Sequence, residues 1–579
     1  MKHIKNRVSI FNYQLSIVLS LLVPAFVTAQ NDENPELQKT IQVYSEYKPQ
    51  ISDASRISVN PKVYDTLDLQ VNLKYDIKTT PLNTDYHIIP LKAVSVKGDK
   101  LQELYRGEAV IGLGNYWTGL LAVRYMTERS RLKQSGIELY HLGSAGKIKW
   151  YGEKVPAGYT TDYISAYWKR FYEDCMVYAS ITPQFNSVLR YGYSIPSEGS
   201  STTIVRATKK EQRRYRFGLQ ANAGICSIDA DEDALRYKAE FDYGLTYAGN
   251  PSNVENLVGV TGGVDRKLGK IKLGLDADFQ LSALNFEPKD VDSSLTNVQS
   301  VLQAMPYIQV GANSWKLQAG VKASPVFGGI STFKVLPDVA FTYALPKLQM
   351  IPYFKFGGNV DLVSMNEMFE ENPYVADSVM IRPTINKLGF EVGLDGRIKK
   401  LVTYNTAFSV KAYEDMYFWK AQYTRLDKTM TTFGVVYDDA TVMNFHGDFG
   451  LLFRKVNFEA NFDYYLWQLQ NEKGAWYKPV ADVSLASRFY ILNPNTNKNK
   501  LAVEPSLSYK LFTSEGHGLY GNIDNLDLGL EATYFYNSIF QIFLDVNYLL
   551  WGDERYIDYR LQRFNFLIGA SFSFGGHKE

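Results

Sequence analysis

From about residue 104 onward the chain repeats one pattern: stretches of about 10 to 13 residues in which apolar and polar side chains alternate, separated by turn residues. Residues 235–247 set Leu235, Phe241 and Tyr247 on one face and Arg236, Lys238, Glu240 and Asp242 on the other. Residues 271–283 oppose Ile271, Leu273, Leu275 and Phe279 to Lys272, Asp276 and Asp278. Residues 456–466 oppose Phe458 and Phe462 to Glu459 and Asp463, and residues 526–536 oppose Leu528, Leu530 and Tyr534 to Asp527, Glu531 and Thr533. Period two means strand, because successive side chains of an extended backbone point to opposite faces. These lengths exceed the usual strand of roughly five or six residues and match a tilted bilayer crossing. A soluble sandwich would also show one apolar face, so connectivity has to decide. Short connections at Leu268-Gly269-Lys270, Asn313-Ser314, Leu345-Pro346-Lys347, Lys399-Lys400, Lys455 and Asn537-Ser538 alternate with long polar ones at 192–212, 285–296, 364–383, 414–439 and 552–559. Short turns on one side and long loops on the other are the layout of an outer-membrane barrel.

Alternating turn and loop gives about 22 crossings, an even number that returns the chain to its starting side. The expected fold is therefore all-β, a large antiparallel transmembrane β-barrel over 104–579, whose last crossing is the alternating segment 563–574. Register has an energetic basis. A one-residue slip of 235–247 would turn Arg236 and Lys238 into lipid, at about 2–4 kcal/mol each near the midplane.

Residues 1–29 read as a secretory signal peptide. Lys2, Lys5 and Arg7 precede an apolar core over 15–26, and Val27-Thr28-Ala29 before Gln30 is a small-residue cleavage site. No cysteine follows that core, which argues against a lipoprotein, and no other run of about 18 apolar residues occurs. Residues 30–103 break the alternation. Pro35, Pro49, Pro61, Pro81 and Pro90 divide them into short extended pieces, expected to form a periplasmic or partial-plug segment. A barrel of about 22 strands encloses a lumen wide enough to leak large solutes. That segment, with the loops at 192–212 and 414–439 over the outer mouth, is expected to close it.

The chain's 62 Lys+Arg balance 61 Asp+Glu, so no nucleic-acid partner is expected. Its two cysteines, Cys175 and Cys226, are too few for a disulfide scaffold or a cysteine-built metal centre. Strand parity sets them on opposite faces, so they are not expected to pair. His3, His87, His141, His446, His517 and His577 show no metal-pair spacing and read as turn or loop residues. Gly112-Leu113-Gly114 lacks the helix and third glycine of a nucleotide loop, and with Asn115 it reads as a hairpin turn. Without a Gly-x-Ser-x-Gly element, or a nucleophile, base and orienter together, neither catalysis nor a cofactor is expected. The candidate functional residues are charges of the polar face: Arg214, Arg216, Arg236, Lys238, Glu240, Asp242, Asp276, Asp278, Glu459, Asp463, Asp527 and Glu531. They are expected to line a mixed, hydrated lumen.

Five motifs carry a family resemblance: Glu46-Tyr47-Lys48-Pro49, Val59-Asn60-Pro61, Gly112-Leu113-Gly114-Asn115-Tyr116, His141-Leu142-Gly143-Ser144-Ala145-Gly146-Lys147 and Tyr167-Trp168-Lys169-Arg170-Phe171. Over residues 40–175 the chain resembles the TonB-dependent-receptor-like outer-membrane barrels of Bacteroidota. The resemblance implies an outer-membrane location and receptor-like or channel-like transport of solutes. Residues 30–103 are roughly half the length of a folded plug and show no TonB-contact stretch, which counts against TonB as a partner. The expected partners are outer-membrane lipid, the barrel assembly machinery, and other outer-membrane or periplasmic proteins. Two other functions fit the same residues: an accessory or structural subunit of an outer-membrane export or assembly complex, and a secreted soluble β-rich adhesin.

Overall fold

The computed structural model describes residues 105–576 apart from 128–129, 131, 151, 194–207, 229–232, 250–252, 287–294, 330, 377–378, 400, 425–429, 493–498 and 517–518. The expected signal peptide over 1–29 and plug-like segment over 30–103 lie outside the described residues.

Twenty-two antiparallel strands form one sheet, from Gly107–Gly114 to Phe564–Phe574. The first and last strands pair from Gly107 opposite Phe574 to Gly114 opposite Leu567. That pairing closes the sheet into a barrel and leaves no edge. The turn Asn115–Trp117 joins the first two strands, with Tyr116 and Trp117 at φ 56° and 55°. Asn115 also clasps the seam: its Nδ2 donates to the Phe564 carbonyl at 2.6 Å, and its Oδ1 accepts from the Phe566 amide at 3.0 Å.

The four alternating segments appear as Arg236–Gly249, Ile271–Phe286, Val456–Leu469 and Leu519–Phe535. Across three neighbouring strands Val260 faces Phe241 on one side and Phe279 on the other. Phe241 and Val260 are 47% and 46% exposed, and Leu275, Leu528, Leu530, Ile568 and Phe572 continue the same outward belt. A closed barrel with such a belt is at home in hydrocarbon, where every backbone group must find its partner within the sheet. On the opposite face Thr261 lies between Glu240 and Asp278 and donates to Asp278 at 2.9 Å. Close cross-strand packing shields bare backbone there: a Cβ at Gly274 would come within 2.2 Å of the Tyr307 ring.

Connections at the end that carries both described termini are mostly short, as at Gly269-Lys270 and Asn313-Ser314, whereas the other end holds the longest ones, such as 362–383 and 552–563, beside short ones such as Asn115–Trp117. One expected loop is mostly strand. Val402–Thr424 and Met430–Leu452 continue through 414–439 and leave only 425–429 between them. Their register shifts between Tyr413 and Met416, where Asp415 adopts φ 54°, a bulge that bends the upper half of the hairpin. Histidine placement also differs from expectation. His141 lies in Lys133–Ser144 bonded to Asp162, and His446 lies in Met430–Leu452 between Asp463 and Asp448, each at 3.0 Å. Strand backbone puts them within reach of wall carboxylates; His3, His87, His517 and His577 lie outside the described residues. Cys175 stands opposite Ser227 and Cys226 opposite Met176, so the two free thiols point to opposite faces.

Candidate functional site

The wall exposes its apolar side chains, and the buried ones gather mainly at the long-loop end. Trp150, Tyr191, Met368, Phe418, Trp419, Phe433, Tyr477, Tyr556 and Tyr559 belong to one buried cluster. They come from the hairpin Lys147–Trp150 with Glu153–Pro156, the segment 190–193, the connection 362–383, the top of the bent hairpin, and the loops 470–478 and 552–563. These segments leave the wall at widely separated places around the ring. They can share one core only by meeting over the mouth, where they form a folded cap.

One segment spans the bore. Residues 362–383 connect the thirteenth strand, Met350–Asp361, to the fourteenth, Thr384–Ile398. Their short helix Met365–Glu371 starts at a capping box in which Ser364 Oγ accepts from the Glu367 amide at 3.2 Å and Glu367 returns the bond to the Ser364 amide. Its first turn rests on the eighth strand: the Met365 amide donates to Glu255, which also accepts from Ser282 Oγ at 2.8 Å. Farther on, Arg214 Nη1 of the sixth strand donates to the Val375 carbonyl, and its guanidinium stacks 4.4 Å over the Phe369 ring. Seven inter-strand spacings separate the thirteenth from the sixth, roughly 35 Å of wall at the usual distance. Arg214 and Glu255 lie on the face opposite the apolar belt, so the segment reaches them across the bore.

At the centre of the cap Tyr374 and Tyr559 stack at 3.6 Å between centroids, and Tyr191 meets Tyr559 edge-on at 5.1 Å. Phe433 contacts Tyr477 and Tyr556, each at 5.2 Å. The hydroxyls find backbone partners: Tyr191 donates to the Arg560 carbonyl at 2.7 Å, Tyr559 to Thr431 at 2.6 Å and Tyr477 to Glu515 at 2.8 Å. Buried tyrosine is stable only with such partners. Val375 adds a parallel bridge to Phe433. At Gly192 a Cβ would sit 2.5 Å from the Tyr559 ring, so this close approach needs glycine.

The polar hub is Glu371. Its Oε1 accepts from Lys478 Nζ at 2.7 Å and Trp419 Nε1 at 2.9 Å, and its Oε2 accepts from the Tyr417 hydroxyl. Burial works to raise the Glu371 pKa, but Lys478 and the hydrogen bonds hold it below the usual carboxylate range. Burial pushes Lys478 below the ordinary lysine value while Glu371 works against that shift. The ammonium also lies 3.8 Å over the Tyr417 ring. Removing either charge from such a pair leaves the other buried and uncompensated.

The twelve charges singled out from the sequence all lie on the strand face opposite the belt, in separate groups. Glu240, Asp242, Asp276 and Asp278 fall on nearby strands, where Glu240 accepts from the Tyr178 hydroxyl at 2.7 Å. Arg236 and Lys238 occupy the start of the same strand as Glu240. Asp463 accepts from Asn444 at 3.2 Å, with Glu459 on the same strand, and Asp527 and Glu531 share another. Arg214 and Arg216 belong to the cap instead: Arg216 Nη1 donates to the Asn366 carbonyl at 3.3 Å, and Nη2 lies 3.8 Å from Glu370. Sequence reasoning missed Glu371, Lys478, Trp419 and the central tyrosines. Their available signal was aromatic density inside loops, as in Trp476-Tyr477-Lys478 and Arg555-Tyr556-Ile557-Asp558-Tyr559.

No family model and no curated protein matches the chain. Solved structures do. The ferric-catecholate import receptor Fiu from E. coli matches with a TM-score of 0.59 at 10% identity, covering 82% of each chain. The FrpB iron transporter from Neisseria meningitidis matches at 0.61 and 9% identity, again over 82% of each. The ferripyoverdine receptor of the outer membrane of Pseudomonas aeruginosa matches at 0.56 and 11% identity, over 82% of this chain and 72% of that one. At these identities the likeness establishes the fold.

Proposed function

We propose that this chain resides in the outer membrane as a receptor-like, gated transporter of solutes, with the cap as its outer gate. The observation that carries the reading is a closed 22-stranded barrel whose bore is crossed by a folded segment. A bore without function needs no lid, and an open diffusion pore would not build one. The fold is shared with proteins described as transporters and import receptors, and none of those three is described as an enzyme. The expectation against TonB gains no support from them, and TonB coupling belongs among the possibilities to be tested. In this reading residues 1–29 are removed on export, 30–103 act at the periplasmic side, and the barrel occupies the remainder. Arg236, Lys238, Glu240, Asp242, Asp276, Asp278, Glu459, Asp463, Asp527 and Glu531 line a hydrated lumen below the cap, with Arg214 and Arg216 at its upper edge. The belt meets outer-membrane lipid, and the terminal strand Phe564–Phe574 meets the barrel assembly machinery. A secreted adhesin would have to leave that belt in water, at a cost of about 25 cal/mol per Å². Solute flux into proteoliposomes tests the reading: flux through the assembled barrel is the expected result, and recovery of the chain in the soluble fraction without detergent would overturn it.

The completeness of the cap favours a second reading, an accessory subunit with a permanently closed mouth. A mild-detergent pull-down separates the two, because a stoichiometric partner with no flux under any condition supports the accessory role.

A further inference from the structure

We propose that the described residues of the 362–383 connection form a movable gate latched by the carboxylate of Glu371. The proposal rests on the transport reading and adds the contact that holds the mouth shut.

The segment is held differently along its length. Its flanks rest on one stretch of wall. The Met365 amide bonds Glu255 of the eighth strand at 2.9 and 3.1 Å, and the Ile381 carbonyl accepts from Asn297 of the tenth at 2.9 Å and from Gln299. Glu371, in the middle, reaches elements from another part of the ring: Tyr417 and Trp419 of the bent hairpin, Lys478 of the loop 470–478, and Tyr556, whose hydroxyl donates to the Glu371 carbonyl at 2.5 Å. Four donors from three separate segments thus converge on one residue of the crossing segment.

The Lys478 side is fixed. Asp438 of the hairpin accepts from the Asn471 amide at 2.8 Å and the Glu472 amide at 2.7 Å, which ties the loop 470–478 down independently of Glu371. The Asn471 side chain adds a third bond from the loop to Asp438 at 2.8 Å, so the loop keeps its place without Glu371. The opposite side of the segment borders open volume. A cleft of about 490 Å³ separates it from the strands Tyr159–Phe171, Cys175–Leu189 and Arg213–Ser227. Two polar contacts across that cleft are long, 3.8 Å from Arg216 to Glu370 and 3.4 Å from Gln184 to Asn366, while Arg214 keeps a direct bond to the Val375 carbonyl and Arg216 one to the Asn366 carbonyl at 3.3 Å. Between flanks that rest on the wall, the middle of the segment is held by Glu371 together with the backbone bonds of Tyr374 and Ala376 to Phe433, and it borders open volume into which it moves when the Glu371 contacts let go. An ion pair between a buried lysine and a half-buried carboxylate suits a latch because loss of either partner destabilises the closed arrangement, while both charges are readily hydrated once apart.

The test places a reporter thiol at Val375, which is 3% exposed in the closed cap, in the full chain with Cys175 and Cys226 replaced by serine. The alkylation rate of Val375→Cys by a membrane-impermeant maleimide in proteoliposomes reads the open population whether or not solute passes. Glu371→Gln and Lys478→Met are each expected to raise that rate, on the order of a hundredfold. Glu371→Gln preserves shape, so it remains informative should Lys478→Met fail to insert. Heat-modifiable electrophoretic mobility confirms that the barrel is intact. Unchanged labelling in an intact Glu371→Gln barrel overturns the latch. Faster labelling without solute flux upholds the gate and overturns the transport reading, so the two failures are distinguishable.

Discussion

The wall and the cap are stabilised by opposite strategies. In the wall each strand meets its neighbours through a repeating backbone ladder, and side chains need only keep to the correct face. Phe241, Val260 and Phe279 are interchangeable in kind, because their common role is to be apolar and outward. In the cap nothing repeats. Glu371, Lys478, Trp419 and Tyr417 hold one another at particular distances, and they are drawn from three separate segments of the chain. The wall therefore tolerates many sequences that keep its period, whereas the cap depends on individual residues.

Five substitutions, one of them a control, sharpen or break that contrast, beginning with the largest effect. Trp419 is fully buried and donates to Glu371, so Trp419→Ala should cost the cap about 3–5 kcal/mol. Protease nicking within 362–383 and 470–478 should appear while the barrel keeps its heat-modifiable mobility. Loss of the barrel as well would mean that wall and cap are one cooperative unit. Leu275→Arg puts a charge on the outward face, 49% exposed and mid-strand, at about 2–4 kcal/mol. Urea-dependent folding into vesicles should show this cost, and Asp276→Asn, one residue along on the other face, should fold normally. Equal effects would remove the distinction between faces.

Asn115→Ala removes two hydrogen bonds across the closure, for about 1–2 kcal/mol in total. It should lower the barrel's unfolding midpoint and leave cap proteolysis unaltered. The smallest effect concerns pH. Burial first, then Asp553 and Asp558, raise Glu554 of the loop 552–563 from 4.5 to about 7, partly offset by Arg560. The folded cap thus binds this proton more tightly than the unfolded chain does. Its stability should fall as pH rises from about 4.5 to about 7 and level off above. Glu554→Gln should flatten that slope in thermal melts of the cap; an unchanged slope would assign it to other groups.

These differences explain what could be read from the sequence. A period-two pattern survives in linear form, so 271–283 disclosed both a strand and its faces, and parity alone separated Cys175 from Cys226. The strand count followed from alternating turns and loops. The bent hairpin was harder: Glu414 and Asp439 interrupt the apolar alternation, and a bulge at Asp415 shifts the register, so strand read as loop. The crossing segment was visible only as a long connection, because what makes it a crossbar is contact with Arg214 and Glu255, more than a hundred residues away. The expectation that 192–212 and 414–439 would close the mouth was right in kind for the second and omitted the segment that spans it; 194–207 lie outside the described residues. Lys478 and Glu371 look like ordinary loop charges until the fold brings them together.

Hydrogen exchange of the intact chain in lipid nanodiscs, read by mass spectrometry, tests most directly whether the cap is a folded unit that opens apart from its wall. Amides of Ile271–Phe286 should stay protected over the longest times, while those of Ala376, Thr431 and Phe433, bonded to Phe433, Gly192 and Tyr374, should exchange together and sooner. Exchange of the cap amides in step with the wall, or one by one at the rates of free loops, would contradict the account.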